Sequence, residues 1–260
     1  MTSGVPDVAA RGFSATAEQY EQYRPSYPAD AVAWLLEHCR VTPGATVCDL
    51  GAGTGKFTRL LVGNGADAVA VEPLPEMLAI LHRELPEVPA VNALAEAMPF
   101  ASGTLHAITA AQAFHWFDLD RALAELHRVL VPGGRVGVIW NSWDDSVAWV
   151  RDVRDVMAQD ASEQWLKNHL DDRWLHDALR HSQHFGDVHS TTFRQTHTAP
   201  RGGVREELVA RMATSSHIAV KTPEEQKVVL DQVRAIIDAV DADDLDFPYR
   251  VDVYWFERRS

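Results

Sequence analysis

The sequence predicts an α/β fold: a Rossmann-like, seven-stranded and mostly parallel sheet with helices on both faces, an antiparallel last strand and a helical cap insertion. Short apolar strands alternate with amphipathic helices from residue 46 to residue 140, which requires a parallel sheet covered on both sides. A glycine-rich turn, Gly51-Ala52-Gly53-Thr54-Gly55, leaves the first of those strands and opens a helix. Residues 249–256 alternate in the manner of an antiparallel strand.

Taken in order, helical turns fall around residues 16–23, and a helix over 28–39 buries Val32, Leu35 and Leu36. Pro43-Gly44 turns the chain into strand one at 46–50. Helices at 55–64 and 74–85 alternate with strands at 66–71 and 89–93. A fourth strand at 105–111 leads to a helix at 120–130, and Pro132-Gly133-Gly134 turns into strand five at 135–140. After Asn141 the alternation breaks. Residues 143–184 read as helices with Trp143, Trp149, Trp165 and Trp174 dispersed among charges. A strand at 189–197, helices at 204–212 and 223–239, and the strand at 249–256 follow, with 238–246 expected as a solvated acidic turn. Residues 1–260 are expected to form a single domain, with 1–40 an N-terminal helical lid and 143–240 substrate-cap elements around the strand near 189–197.

Composition narrows the partners. A net charge of −13 over 260 residues argues against nucleic acid, whose binders need basic surface to replace phosphate counterions. No apolar run reaches the roughly 18 residues of a membrane span, and residues 1–12 lack a signal peptide's basic and apolar regions. The expectation is a cytoplasmic monomer or homodimer acting on a small molecule. Cys39 and Cys48 have neither metal-ligand nor redox spacing and read as reduced and structural.

The glycine turn identifies the cofactor class. Without Cβ atoms the backbone can bend sharply and lie close against a ligand. A dinucleotide fingerprint needs a glycine where Lys56 stands, and no Gly-Lys-Ser/Thr follows as a P-loop requires. The Gly-x-Gly-x-Gly spacing favours S-adenosylmethionine (SAM), which has no pyrophosphate to seat on a helix N-terminus. Asp49 ends the first strand. Glu72, about 20 residues on and at the end of the second strand, is placed to accept both ribose hydroxyls. The competing account makes the glycines a tight turn and Glu72 a helix cap beside Pro73.

These residues resemble a class I SAM-dependent methyltransferase, and in particular the trans-aconitate-methyltransferase-like set of small-molecule enzymes. The likeness rests on Phe13-Ser14-x-x-Ala17 with Tyr20, Tyr23 and Arg24-Pro25-Ser26-Tyr27-Pro28, on Asp49-x-Gly51-x-Gly53-x-Gly55, and on Ala95-Glu96-Ala97-Met98-Pro99-Phe100. Gln112-Ala113-Phe114-His115-Trp116-Phe117-Asp118 and Trp140-Asn141 with Asp144 complete it. The resemblance implies cofactor contacts from Asp49, Gly51, Ala52, Gly53, Gly55, Glu72, Pro73, Ala95, Glu96 and Gln112, with Tyr20 and Arg24 from a segment folding over the cofactor. Leu94 departs from the acidic or small polar residue of many relatives, which leaves Glu96, or the backbone of Ala95 and Glu96, as candidates for the adenine; the alternative for Glu96 is an exposed helix or loop acid.

Methyl transfer from a sulfonium needs positioning rather than a metal. His115 is the catalytic candidate, either as a base or as a group that orients the acceptor, the alternative being a histidine that hydrogen-bonds the loop and orients Trp116. Trp116, Asn141 and Tyr23 are assigned to the acceptor, with packing the alternative for Trp116 and Tyr23. Arg24 is read as a partner for the SAM carboxylate or an acidic acceptor, or else for Glu21 on the surface. His176, His181, His184, His189 and His197 lack ligand spacing, as do Asp144 and Asp145, and no metal is expected. The function expected is methyl transfer to an oxygen, or less favourably a nitrogen, of a small organic acceptor. The alternatives are a non-catalytic SAM-binding regulator and a methyltransferase acting on a macromolecule.

Overall fold

In the computed structural model, which describes residues 7–159, 174–200, 204–241 and 244–260, seven strands form one sheet in the order β3-β2-β1-β4-β5-β7-β6. These are β1 (Thr46–Leu50), β2 (Asp67–Val71), β3 (Ala90–Val91), β4 (Leu105–Ala111), β5 (Leu130–Trp143), β6 (His189–Pro200) and β7 (Asp244–Glu257). β1 pairs in parallel with both β2 and β4, and β4 with β5, whereas β7 lies antiparallel between β5 and β6. β7 therefore runs against the other six strands.

The helices are α1 (Asp7–Ala15), α2 (Ala17–Tyr23), α3 (Ala29–His38), α4 (Lys56–Gly63), α5 (Pro75–Glu84), α6 (Leu119–Val129), α7 (Ala148–Ala158), α8 (Trp174–Leu179), α9 (Val204–Ala213), α10 (Ser216–Ala219) and α11 (Pro223–Asp238). Two apolar cores cover the two faces of the sheet. In one, Leu35 of α3, Leu61 of α4, Val153 of α7 and Ile237 of α11 meet Val47, Ile139 and Val253. In the other, Leu126 of α6 and Leu179 of α8 meet Cys48, Ile108 and Phe256. Trp143 and Trp149 pack edge-on against Phe247 at 5.8 and 5.4 Å, and Trp174 packs on Phe114 and Trp140. Those tryptophans serve mainly as packing. Trp165 lies outside the described residues.

Two expectations are corrected and two helices are added. Pro132-Gly133-Gly134 does not precede strand five but is looped out within it, since one step from Leu105 to Ala107 on β4 spans Leu130 to Arg135 on β5. The acidic stretch 238–246 is not wholly a solvated turn: β7 begins at Asp244, and Leu245 and Phe247 on alternate positions are buried. The short helices α1 and α10, absent from the sequence reading, pack against each other beside the sheet's carboxyl edge.

Candidate functional site

β1 and β4 are neighbours whose outgoing connections pass to opposite faces, and the crevice beyond their carboxyl ends is where an open α/β sheet gathers ligands. β1 delivers the loop from Gly51 to Gly55 into this crevice. Gly51 has φ +69°, and a Cβ there would stand 2.5 Å from the Ala113 Cβ, so the loop lies hard against the turn after β4. Gly53 has φ +57°, and a Cβ there would meet no protein atom within 4 Å. It faces vacant space that a ligand can approach to backbone distance. Across the crevice Gln112 adopts φ +58° without being glycine. Its N–H donates to the Ile139 carbonyl (3.0 Å) and its side-chain amide to the Asn141 carbonyl (3.0 Å), which ties the ends of β4 and β5 together and holds the strained residue.

Two buried carboxylates sit at the rim. Glu72, 5% exposed, accepts the Gly53 N–H on one oxygen (2.8 Å) and the Leu74 N–H on the other (2.9 Å). Each oxygen keeps a lone pair for a further donor. Burial raises its pKa from 4.5 to about 7, against the lowering effect of those two backbone bonds. Asp49 is fully buried and accepts from the Thr58 hydroxyl (2.6 Å) and the Thr109 hydroxyl (3.2 Å). Burial pushes it up to about 6, and its bonds tie β1 to α4 and β4.

The crevice has two connected parts. One, of about 680 Å³, is walled by Phe13, Tyr20, Leu74, Met77, Trp116 and Phe117, with Glu72, Pro73, Ala95, Glu96 and Gln112 at its rim. The other, of about 1060 Å³, is lined by Arg24, Tyr27, Asp49, Ala52, Lys56, His115, Asn141, Trp143, Ser215, Ser216 and Tyr249. Phe13, Tyr20, Gly51, Gly53, Gln112 and Trp116 border both. The first part suits a flat apolar body and the second a polar, charged one. Glu96 is partly committed, because one of its oxygens accepts the Asp118 N–H at 2.7 Å.

His115 sits on a single helical turn, Phe114–Trp116, after β4. The indole N–H of Trp140 donates to its Nδ1 at 3.2 Å. An indole nitrogen only donates, so a neutral His115 carries its proton on Nε2. Its ring lies 4.6 Å from that of Trp116, which meets Phe13 edge-on at 5.8 Å.

α1 and α2 close over the loop. Glu21 accepts from the Thr54 hydroxyl (2.5 Å) and faces Lys56 (3.8 Å) and Arg59 (3.5 Å). Arg24 therefore does not pair with Glu21: its Nε donates to the Thr214 hydroxyl (3.0 Å), and its guanidinium lies 5.3 Å from the Tyr20 ring centroid. Burial lowers the Lys56 pKa, opposed by Glu21.

Most residues singled out in the sequence converge here; Gly55 and Tyr23 are absent from the lining. Gly55 turns towards α5 instead, where a Cβ would lie 3.0 Å from Leu85 and 3.1 Å from Leu81. Its lack of a side chain serves helix packing. Tyr23 ends α2 away from the crevice wall. Residues the sequence reading missed, Leu74, Met77, Trp143, Ser215, Ser216 and Tyr249, come mostly from later elements that only the fold brings near. Asp144 accepts from Ser146 (2.6 Å) and pairs with Arg194, and Asp145 pairs with Arg154. No group of three His, Cys, Asp or Glu residues among the described ones is arranged to hold a metal.

Residues 48–138 match the methyltransferase domain family. That span runs from β1 through most of β5 and includes the glycine loop, Glu72 and His115. An uncharacterized methyltransferase of Mycobacterium bovis is 45% identical over 150 residues, which cover 57% of this chain and 59% of that protein. The chain thus matches about three fifths of that relative's length. Among solved structures, a putative methyltransferase from an antibiotic biosynthesis pathway of Anabaena variabilis superposes with TM-score 0.61 at 18% identity, over 86% of this chain and 96% of that one. Haemonchus contortus phosphoethanolamine N-methyltransferase 2, solved with phosphomonomethylethanolamine and S-adenosylhomocysteine, gives TM-score 0.59 at 14% identity over 100% of this chain and 61% of that one. At such identities these two establish the shared fold. Among the described residues no helix is long and apolar enough to cross a membrane.

Proposed function

We propose that this chain is a SAM-dependent methyltransferase that transfers the methyl group to an oxygen of a small organic acceptor. The observation that carries the reading is the opening at Gly53 beside Glu72: backbone stripped of side chain, next to a carboxylate fixed by two N–H groups with lone pairs to spare. Glu72 accepts the ribose hydroxyls, and Gly51, Ala52 and Gly53 pass along the aminoacyl side. Pro73, Ala95, Glu96 and Gln112 border the adenosine half, Tyr20 of α2 closes over both parts, and Arg24, just past the end of α2, lines the polar part and serves the cofactor carboxylate. Asp49 fixes the loop from beneath through its threonine bonds.

When bound, SAM supplies a methyl group already activated on a sulfonium, so the protein's task is alignment and exclusion of water. Trp116 and Phe13 wall the reacting region, and Asn141 lines the polar part, its side-chain amide donating to the Ser26 carbonyl (3.2 Å) and accepting from Gln195 (2.8 Å). With its Nδ1 occupied by Trp140, His115 presents Nε2–H as a donor to an acceptor oxygen. That tautomer supports orientation of the acceptor over proton abstraction, and it favours oxygen, which can accept such a bond and keep a lone pair for attack, over an amine nitrogen, whose single lone pair the bond would occupy. The methyltransferase match at residues 48–138 supports the same reaction class.

The test is incubation of the full chain with methyl-labelled SAM and a panel of small acceptors, following label and S-adenosylhomocysteine together. Label in a small product supports the proposal. SAM retained unconverted against every acceptor points to a regulatory binder, and label in protein or nucleic acid to a macromolecular acceptor.

A further inference from the structure

α9 carries a buried cation that the cofactor reading does not use. Arg211 is 3% exposed, and among the described residues no carboxylate lies within salt-bridge distance of it. Its guanidinium carbon stands 4.3 Å from the Phe247 ring centroid and 5.1 Å from that of Tyr249, and its Nη2 is buried with no hydrogen-bond partner. The Tyr249 hydroxyl is likewise buried without a partner, in a residue 2% exposed that lines the polar part of the crevice. Glu207, one turn earlier on α9, turns to His197 at 3.2 Å. The other nearby charge, Arg24, is also a cation without an acidic partner among the described residues.

This arrangement is incomplete as it stands. Leaving a guanidinium buried without an anionic partner is strongly unfavourable, and the cation–π contacts with Phe247 and Tyr249 leave its Nη2 donors unmet. An aromatic hydroxyl without a partner adds to the deficit. Two unmet donors, a phenol at the crevice wall and a guanidinium packed against its ring, are complementary to an oxyanion.

Resting on the transferase reading above, we infer that Arg211 and Tyr249 form an anchoring subsite for an anionic oxygen group, a carboxylate or a phosphate, carried by the methyl acceptor and distinct from the atom that is methylated. An oxyanion clamped by a guanidinium and a phenol has its lone pairs engaged and is a poor nucleophile. Held there, it fixes the acceptor's orientation while another oxygen faces His115. The acceptor is thereby assigned to small organic acids or phosphate esters.

The test uses the full chain saturated with S-adenosylhomocysteine, which occupies the Arg24 side. Benzoate and inorganic phosphate are titrated by calorimetry, with benzamide as the neutral control. Saturable binding of one anion, with a Kd on the order of 1 mM, and none of benzamide is expected; which anion binds decides between carboxylate and phosphate. Tyr249→Phe weakens that binding about tenfold and Arg211→Met abolishes it, while S-adenosylhomocysteine affinity is unchanged in both. Tyr249→Phe removes a single atom and reports even where Arg211→Met fails to fold. The inference is overturned if the loaded wild-type protein binds neither anion, if benzamide binds as well as benzoate, or if Tyr249→Phe binds the anion unchanged. Failure of the wild-type chain to retain S-adenosylhomocysteine would instead overturn the cofactor reading on which it rests.

Discussion

Glu72 makes cofactor affinity a function of pH. Burial raises its pKa from 4.5 to about 7. Its role is to accept ribose hydroxyls, and only the ionised carboxylate offers both oxygens for that. If the protonated form does not bind, the apparent Kd rises tenfold for each pH unit below the pKa, so affinity at about pH 5 is some hundredfold weaker than on the plateau above about pH 8. Stability moves the other way. A carboxyl whose folded pKa is raised binds its proton more tightly when folded, so between about 4.5 and 7 its contribution falls as pH rises, by about 3 kcal/mol in all. The suitable ligand is 5′-methylthioadenosine, which keeps the ribose and adenine and has no group titrating in this window. Calorimetric titrations across the range, repeated with Glu72→Gln, isolate the group from Asp49, which also titrates high, at about 6. The variant is expected to bind more weakly at about pH 8 and to lose most of the pH slope. A flat wild-type profile, or an undiminished slope in Glu72→Gln, refutes the assignment of the ribose to this carboxylate.

Gly53→Val fills the vacant space beside the loop and imposes an unfavourable φ of +57°; SAM affinity should fall by a hundredfold or more, roughly, and an unchanged calorimetric Kd would remove the loop from the binding site. His115→Ala should lower kcat by about 10 to 100-fold while changing SAM Kd less than about threefold, and unaltered turnover would reduce His115 to scaffolding. Gly12→Val tests the closure of α1: its Cβ would stand 2.6 Å from the Ser216 carbonyl oxygen, so α1 must leave α10. Cofactor dissociation measured by stopped flow should then accelerate about tenfold, and an unchanged rate would show that the contact does not retain the cofactor.

The half of the fold that positions the cofactor loop was legible because its signals are local. Thr46–Leu50 and Leu105–Ala111 are short, largely apolar runs bounded by turns, and the structure returns both with the bounds read from sequence. Glu72 and the glycines follow from their distance to the ends of those strands. α1 and α10 escaped because nine and four residues carry too few turns for a period to emerge. β7 escaped at its start because acidic residues mask the alternation that buries Leu245 and Phe247. Gly55 was assigned to the ligand on spacing alone, and only the packing of Leu81 and Leu85 reveals its purpose. Arg211 and Tyr249 were beyond reach for a different reason. They lie on separate late elements, and nothing in either local sequence indicates that the Arg211 guanidinium packs on the Tyr249 ring with its Nη2 and the phenol left without a hydrogen-bond partner. Likewise the tautomer of His115 depends on Trp140, 25 residues away on the neighbouring strand.

Cofactor identity is tested most directly by titrating the full chain with SAM and, separately, with NADH at about pH 8, above the Glu72 transition. One SAM per chain, displaced by S-adenosylhomocysteine, with no heat from NADH is the expected result. Binding of the nicotinamide, or no binding of SAM, would contradict the account.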